Sequence, residues 1–165
     1  MNELLRHKGG AMLMMAIAGI GASIGLAGPA IGKPTKAVPY WASISEGEAR
    51  MRVGPSLDYP SNWIYRRRDL PVKVVQVLGN WRKIVDSAGA HGWMHVRLLS
   101  DTKTAIVTTG TAALRSAASD DAPVVFRAEQ GVVGRLSDCA GAWCRLAVGG
   151  QRGFVRTDSL WGGTD

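Results

Sequence analysis

From about residue 40 onward the chain repeats itself. Arg52, Trp81 and Gly92 recur as Arg115, Trp143 and Gly153, at offsets of 63, 62 and 61 residues. Around these landmarks Met51-Arg52 corresponds to Leu114-Arg115, Trp81-Arg82-Lys83-Ile84-Val85 to Trp143-Cys144-Arg145-Leu146-Ala147, and Gly92-Trp93-Met94 to Gly153-Phe154-Val155. Three landmarks in one order at nearly one spacing mean a unit of roughly 60 residues copied in tandem. A unit that short must be a small fold with a modest core. Within it the apolar runs are brief and alternate with polar residues, as in Pro71 to Leu78, Trp81 to Val85 and Val132 to Leu136. Each is bounded by turn residues such as Gly79-Asn80, Gly89 and Gly149-Gly150. These are strand lengths and strand punctuation. No stretch after residue 40 keeps a three-and-four spacing over ten residues, so no long helix is expected. The reading is all-β, with about five short strands per unit closed into a small barrel that hides its edges.

The residues of the repeat carry a family likeness. Arg52-Val53-Gly54-Pro55-Ser56, Tyr59-Pro60, Gly79-Asn80-Trp81, Gly92-Trp93-Met94-His95 and Leu98-Leu99 resemble a bacterial SH3 domain (SH3b). The first copy departs from the family pattern at Arg50, where Asn is usual. The second keeps Leu114-Arg115, Trp143 and Gly153-Phe154 but has Ala117-Ala118 in place of Gly-Pro. The resemblance implies two tandem small SH3-like β-barrels, over residues 42–100 and 104–161. Tandem copies with Cys-x-x-x-Trp-Cys in the second also resemble an exported SH3-like family of Gram-negative bacteria. Such barrels host many roles, so the likeness speaks for fold more than for activity.

The first 30 residues read differently. Arg6, His7 and Lys8 precede an uncharged run from Gly9 to Gly32, the pattern of an export signal with small residues near Ala27 and Ala30. The run is also long enough for an uncleaved anchor, although seven glycines between Gly9 and Gly32 weaken that alternative. No Cys near its end offers a lipid attachment point. Residues 31–41, with Pro34 and Pro39, read as a linker. The folded part is therefore expected in the periplasm or outside the cell. In such an oxidising place Cys139 and Cys144, the only cysteines, are expected to form a small-loop disulfide. Their spacing departs from that of redox motifs.

Catalytic constellations are not in view. Hydrolysis or group transfer needs a nucleophile with a base, a carboxylate pair or a metal set. His91 and His95 with Cys139 and Cys144 would make up the ligand count of a zinc site, but the pairs fall in different copies. Glu46 and Glu48, like Asp120 and Asp121, read as solvated turn acids. The expectation is no enzyme, no metal and no cofactor.

Binding remains. Trp63, Tyr65, Arg66, Arg67 and Arg68 form the most unusual cluster, rings beside three consecutive arginines, and are read as an anionic-ligand site. The competing reading is a solvated strand end with core aromatics. Trp81 and Trp93, matched by Trp143 and Phe154, are read as core, Arg52 and Arg115 as structural, and Trp41 and Trp161 as seals on the barrel ends. The net charge of +7 is uneven. Residues 42–100 hold nine Lys or Arg and five Asp or Glu, whereas residues 104–161 hold six and five, so the first barrel is the better binder of anions. Nucleic acid would suit the basic pI near 9.9 but not export. The resemblance implies recognition of cell-wall peptide or of an extended segment of an envelope protein; the alternative is a structural subunit of an envelope complex.

Overall fold

The computed structural model describes residues 36–164. The export signal read over residues 1–30 and the linker residues 31–35 lie outside the described residues. The first copy contains β1 (Tyr40–Ile44), β2 (Ala49–Arg52), β3 (Ser61–Tyr65), β4 (Pro71–Leu78), β5 (Trp81–Val85), β6 (His91–His95), a 3-10 turn (Val96–Leu98) and β7 (Leu99–Ser100). The second contains β8 (Thr104–Val107), β9 (Thr111–Arg115), β10 (Val124–Glu129), β11 (Val133–Ala140), β12 (Trp143–Val148), β13 (Gln151–Arg156), a 3-10 turn (Thr157–Ser159) and β14 (Leu160–Gly162). Strand β1 starts inside the stretch read as linker, because Tyr40 and Trp41 already pair with Val74 and Lys73.

The two sheets have one topology. The first is ordered β3-β2-β6-β5-β4-β1-β7, and the second is the same order with every strand number raised by seven. All pairings among the described residues are antiparallel, so residues 36–164 are all-β and form the two SH3-like units that the resemblance implies. Each unit encloses its own core. The first is built on Ile44, Met51, Val72, Val74, Ile84 and Met94, and the second on Val107, Leu114, Leu136, Leu146 and Val155. Alternation explains this: in β5 only Ile84 is buried, while Trp81, Lys83 and Val85 share the opposite face. Each fully buried aliphatic side chain contributes about 1.5–3 kcal/mol.

One glycine per copy is dictated by crossing strands. A Cβ at Gly92 would lie 2.7 Å from the Arg52 carbonyl oxygen, and one at Gly153 would lie 2.9 Å from the Leu114 Cβ. Here β6 crosses β2, and β13 crosses β9, too closely for any side chain.

The barrels meet. Trp41 and Trp161 pack edge to face at 4.8 Å between ring centroids, with the Lys73 ammonium 5.3 Å from the Trp41 ring. Arg135 reaches both carboxylate oxygens of Asp69 at 3.2 Å, and Arg67 donates to the Gly131 carbonyl oxygen at 3.1 Å. The two tryptophans read as separate end seals thus form one joint between the units, because β14 lies against β4, the strand that pairs with β1 at Trp41.

Candidate ligand-binding cleft

The cluster expected from the sequence does not assemble as one surface. Strand β3 ends at Tyr65, so the alternation of faces stops there and the three arginines follow the turn instead. Tyr65 points into the core, 7% exposed, and donates its hydroxyl to Asp86 Oδ2 at 2.9 Å. Burial, reinforced by the Asp86 carboxylate, pushes the phenol pKa well above its ordinary range. The Tyr65 ring, expected as a stacking group, thus packs in the core of the first barrel. Arg67 donates to the Gly131 carbonyl oxygen of the second copy. Arg68 pairs with Glu46 at 3.4 Å and Arg66 with Glu48 at 3.6 Å. Trp63 stands out from the surface, 53% exposed, as do the side chains of Arg66 and Arg68.

A cavity on the first barrel lies elsewhere. Between the loop that follows β2 and the 3-10 turn that follows β6 is a cleft of about 180 Å³. Its walls are Arg50, Arg52, Leu57, Trp81, His95 and Arg97, with Glu48 and Leu98 at the margin. Each wall has a local cause. Arg52 ends β2 and donates to the Tyr59 carbonyl oxygen at 2.6 Å, which folds the loop back on the strand. Tyr59 lies over Gly54, where a Cβ would sit 2.5 Å from its ring. That packing leaves Leu57 outward and 64% exposed. Trp81 opens β5 on its outer face and meets its cross-strand partner His95 edge to face at 5.4 Å. His95 Nδ1 accepts the Arg97 backbone N–H at 3.2 Å, so its proton is carried on Nε2.

The electrostatics are lopsided. Three arginines face one acid, and Glu48 is engaged by Arg50 at 3.4 Å and by Arg66. No hydrogen bond or ion pair holds the Arg97 guanidinium among the described residues. The cleft therefore offers a free planar cation, an indole edge and an exposed leucine within one concavity. That set suits an anionic group attached to an apolar one.

Sequence reasoning placed Trp81 in the core, and the cleft was missed for that reason. A signal was present: Trp81 and Lys83 share strand parity opposite Ile84, and a lysine marks its face as outward. Arg52 and Arg115 are structural as read, since Arg115 donates to the Ala122 carbonyl oxygen at 2.7 Å just as Arg52 does to Tyr59. Cys139 and Cys144 are joined in a disulfide, so they are not available to the His91 and His95 pair. Among the described residues no group of three or more His, Cys, Asp or Glu is placed to hold a metal.

A family model described as the bacterial SH3 domain matches residues 45–101 and again residues 109–162. The chain belongs to the bacterial SH3 domain family. Both copies of this SH3 pair match, so the duplication is one of whole domains. No curated protein matches the chain. Among solved structures it is similar to NlpC2 from Trichomonas vaginalis, at 11% identity over 77% of this chain and 49% of that one, with a TM-score of 0.34. It is similar in the same measure to NlpC1 from the same organism, at 12% identity over 78% and 47%, with a TM-score of 0.34. The chain spans about half the length of those two proteins.

Proposed function

We propose that the protein is a non-catalytic binding module of the bacterial envelope, exported to the periplasm or beyond, that recognises anionic cell-wall peptide through the cleft of its first barrel. The observation that carries this reading is the Arg97 guanidinium, without an ion-pair partner among the described residues, beside Trp81 and Leu57. Murein peptide stems present carboxylates on an extended backbone next to small apolar side chains, which is the chemistry such walls accept. Membership of a family of binding domains and the disulfide in the second barrel support the same placement. Arg66, paired with Glu48 at the cleft margin, adds to the positive field there. A second reading, a partner protein of an envelope complex in place of the wall, is favoured by one observation: Val53, Leu57, Tyr59 and Trp63 are all exposed around the same loop.

Co-sedimentation of the full chain with purified murein sacculi across a salt series separates these readings. Retention that survives high salt and falls at least about tenfold in Arg97→Glu or Trp81→Ala, with an unchanged thermal midpoint, is the expected result. Retention lost as salt rises, or indifferent to both substitutions, reduces it to attraction between a basic protein and an anionic polymer. No retention at low salt moves the search to a protein partner.

A further inference from the structure

The second barrel carries counterparts of the cleft residues, and there they bond to one another. Its counterparts follow from the shared topology. Arg115 hooks the carbonyl seven residues on, as Arg52 does, so Asp120 occupies the loop position of Leu57. Trp143 opens β12 and pairs across the strands with Arg156, where Trp81 pairs with His95. The middle residue of the 3-10 turn is Asp158 in place of Arg97. Arg156 lies over the Trp143 ring at 5.7 Å, donates through Nη1 to Asp120 Oδ2 at 3.0 Å, and through Nε to Asp158 Oδ2 at 3.3 Å. One arginine, Arg156, meets two aspartates there, whereas three arginines and one glutamate line the first cleft. The loop and the turn of the second barrel thus place carboxylates on the cation beside the tryptophan.

We infer that the two copies have divided: the first cleft takes one carboxylate from outside, and the second is closed to such ligands because Asp158 replaces Arg97 and, with Asp120, holds Arg156, which leaves the tandem protein with a single working site. This deepens the reading of the first cleft as a binding site and rests on it. The internal occupant also names the ligand group. A cation over an indole ring is satisfied in this fold by a carboxylate, and in the first barrel Leu57 replaces the acid with an apolar contact for the neighbouring side chain. The bonds to Arg156 are solvent-exposed and individually weak. Their strength as a block comes from tethering, since an attached carboxylate acts at an effective concentration of about millimolar or more.

Acetate titration of the full chain, followed through the indole N–H and arginine Nε–H signals by two-dimensional NMR with acetamide as the neutral control, reads each cleft separately. Acetate is expected to shift Trp81 and Arg97 and to leave Trp143 and Arg156 in place. Asp120→Asn should give Trp143 a response, and the triple variant Asp120→Leu, Arg156→His, Asp158→Arg should make it match Trp81; unaltered signals elsewhere certify the fold. Equal shifts at both tryptophans in the unaltered protein, or a Trp143 still silent in Asp120→Asn and in a folded triple variant, overturn the division while leaving the first site standing. Silence of Trp81 as well as Trp143 at about 0.1 M acetate, roughly the salt range in which exposed charges are still felt, overturns the site and the division together.

Discussion

Tyr65 shows how one side chain can look like a ligand contact in the sequence and act as a strut in the fold. Its hydroxyl is one of three donors on Asp86; the backbone N–H groups of Ala88 and Ala90 reach Oδ1 at 3.0 and 2.9 Å and hold the turn between β5 and β6. Tyr65→Phe removes a bond to a charged acceptor and is expected to cost about 1.5–3 kcal/mol in urea unfolding at pH 7. The pH dependence has a definite sign. The folded phenol pKa lies above the unfolded value of about 10, so its stabilisation is complete below that pH and is lost as pH rises beyond it. Unfolding curves between pH 9 and 11 should fall more steeply for the unaltered protein than for Tyr65→Phe. Equal slopes would show that Tyr65 does not govern the alkaline limb. Binding at the cleft should be unchanged in this variant, because Tyr65 does not line it.

At the scale of elements, the two copies fasten the same hairpin by different chemistry. Cys139 and Cys144 stand where Val77 and Arg82 pair across β4 and β5 in the first copy. There Arg82 ties the hairpin by donating to Tyr40 Oη at 3.0 Å and to the Gly79 and Trp81 carbonyl oxygens at 2.8 and 3.0 Å. The second copy has a covalent closure between β11 and β12 instead. A six-residue loop contributes about 2 kcal/mol in the chain-entropy account. Reduction, or Cys139→Ser with Cys144→Ser, should lower the stability of the second barrel by about that amount and speed amide exchange at residues 138–145. Exchange at residues 77–82 should not respond, and it should rise in Arg82→Ala. Equal loosening of both hairpins on reduction would refute independent fastening.

For the whole molecule the question is whether two small cores unfold as one. The joint is Trp41 against Trp161, with Arg135 on Asp69 and Arg67 on Gly131 around it. An edge-to-face pair adds about 0.5–1.5 kcal/mol beyond the area it buries. The Arg135–Asp69 pair is largely exposed, with side chains 65% and 35% accessible, and adds about 0–1 kcal/mol. The tryptophans therefore dominate the coupling. Calorimetry of Trp161→Ala is expected to resolve two transitions where the unaltered protein gives one, and Arg135→Ala should leave a single transition. A single transition in Trp161→Ala would place the coupling in the backbone that joins β7 to β8.

Much of this was legible from local pattern. The spacing of Arg52, Trp81 and Gly92 against their copies revealed two like domains, and alternation with turn residues revealed strands, because strand parity and turn chemistry act over a few residues. The recurrence of Arg52 and Arg115 marked them as structural; that they act by holding a loop carbonyl came from the structure. The same local logic, applied to Lys83 beside Trp81, would have turned that tryptophan outward. Contacts between distant segments were beyond such reasoning. That Tyr65 meets Asp86, that Arg67 crosses to Gly131, and that Asp120 and Asp158 converge on Arg156 depend on how loops far apart in the chain close over the sheets. By itself the sequence determined a duplicated barrel with its charge weighted to the first copy. Only the tertiary structure decided which cleft holds its own carboxylates and which leaves an arginine open, because that turns on which loop and turn side chains reach one cross-strand pair.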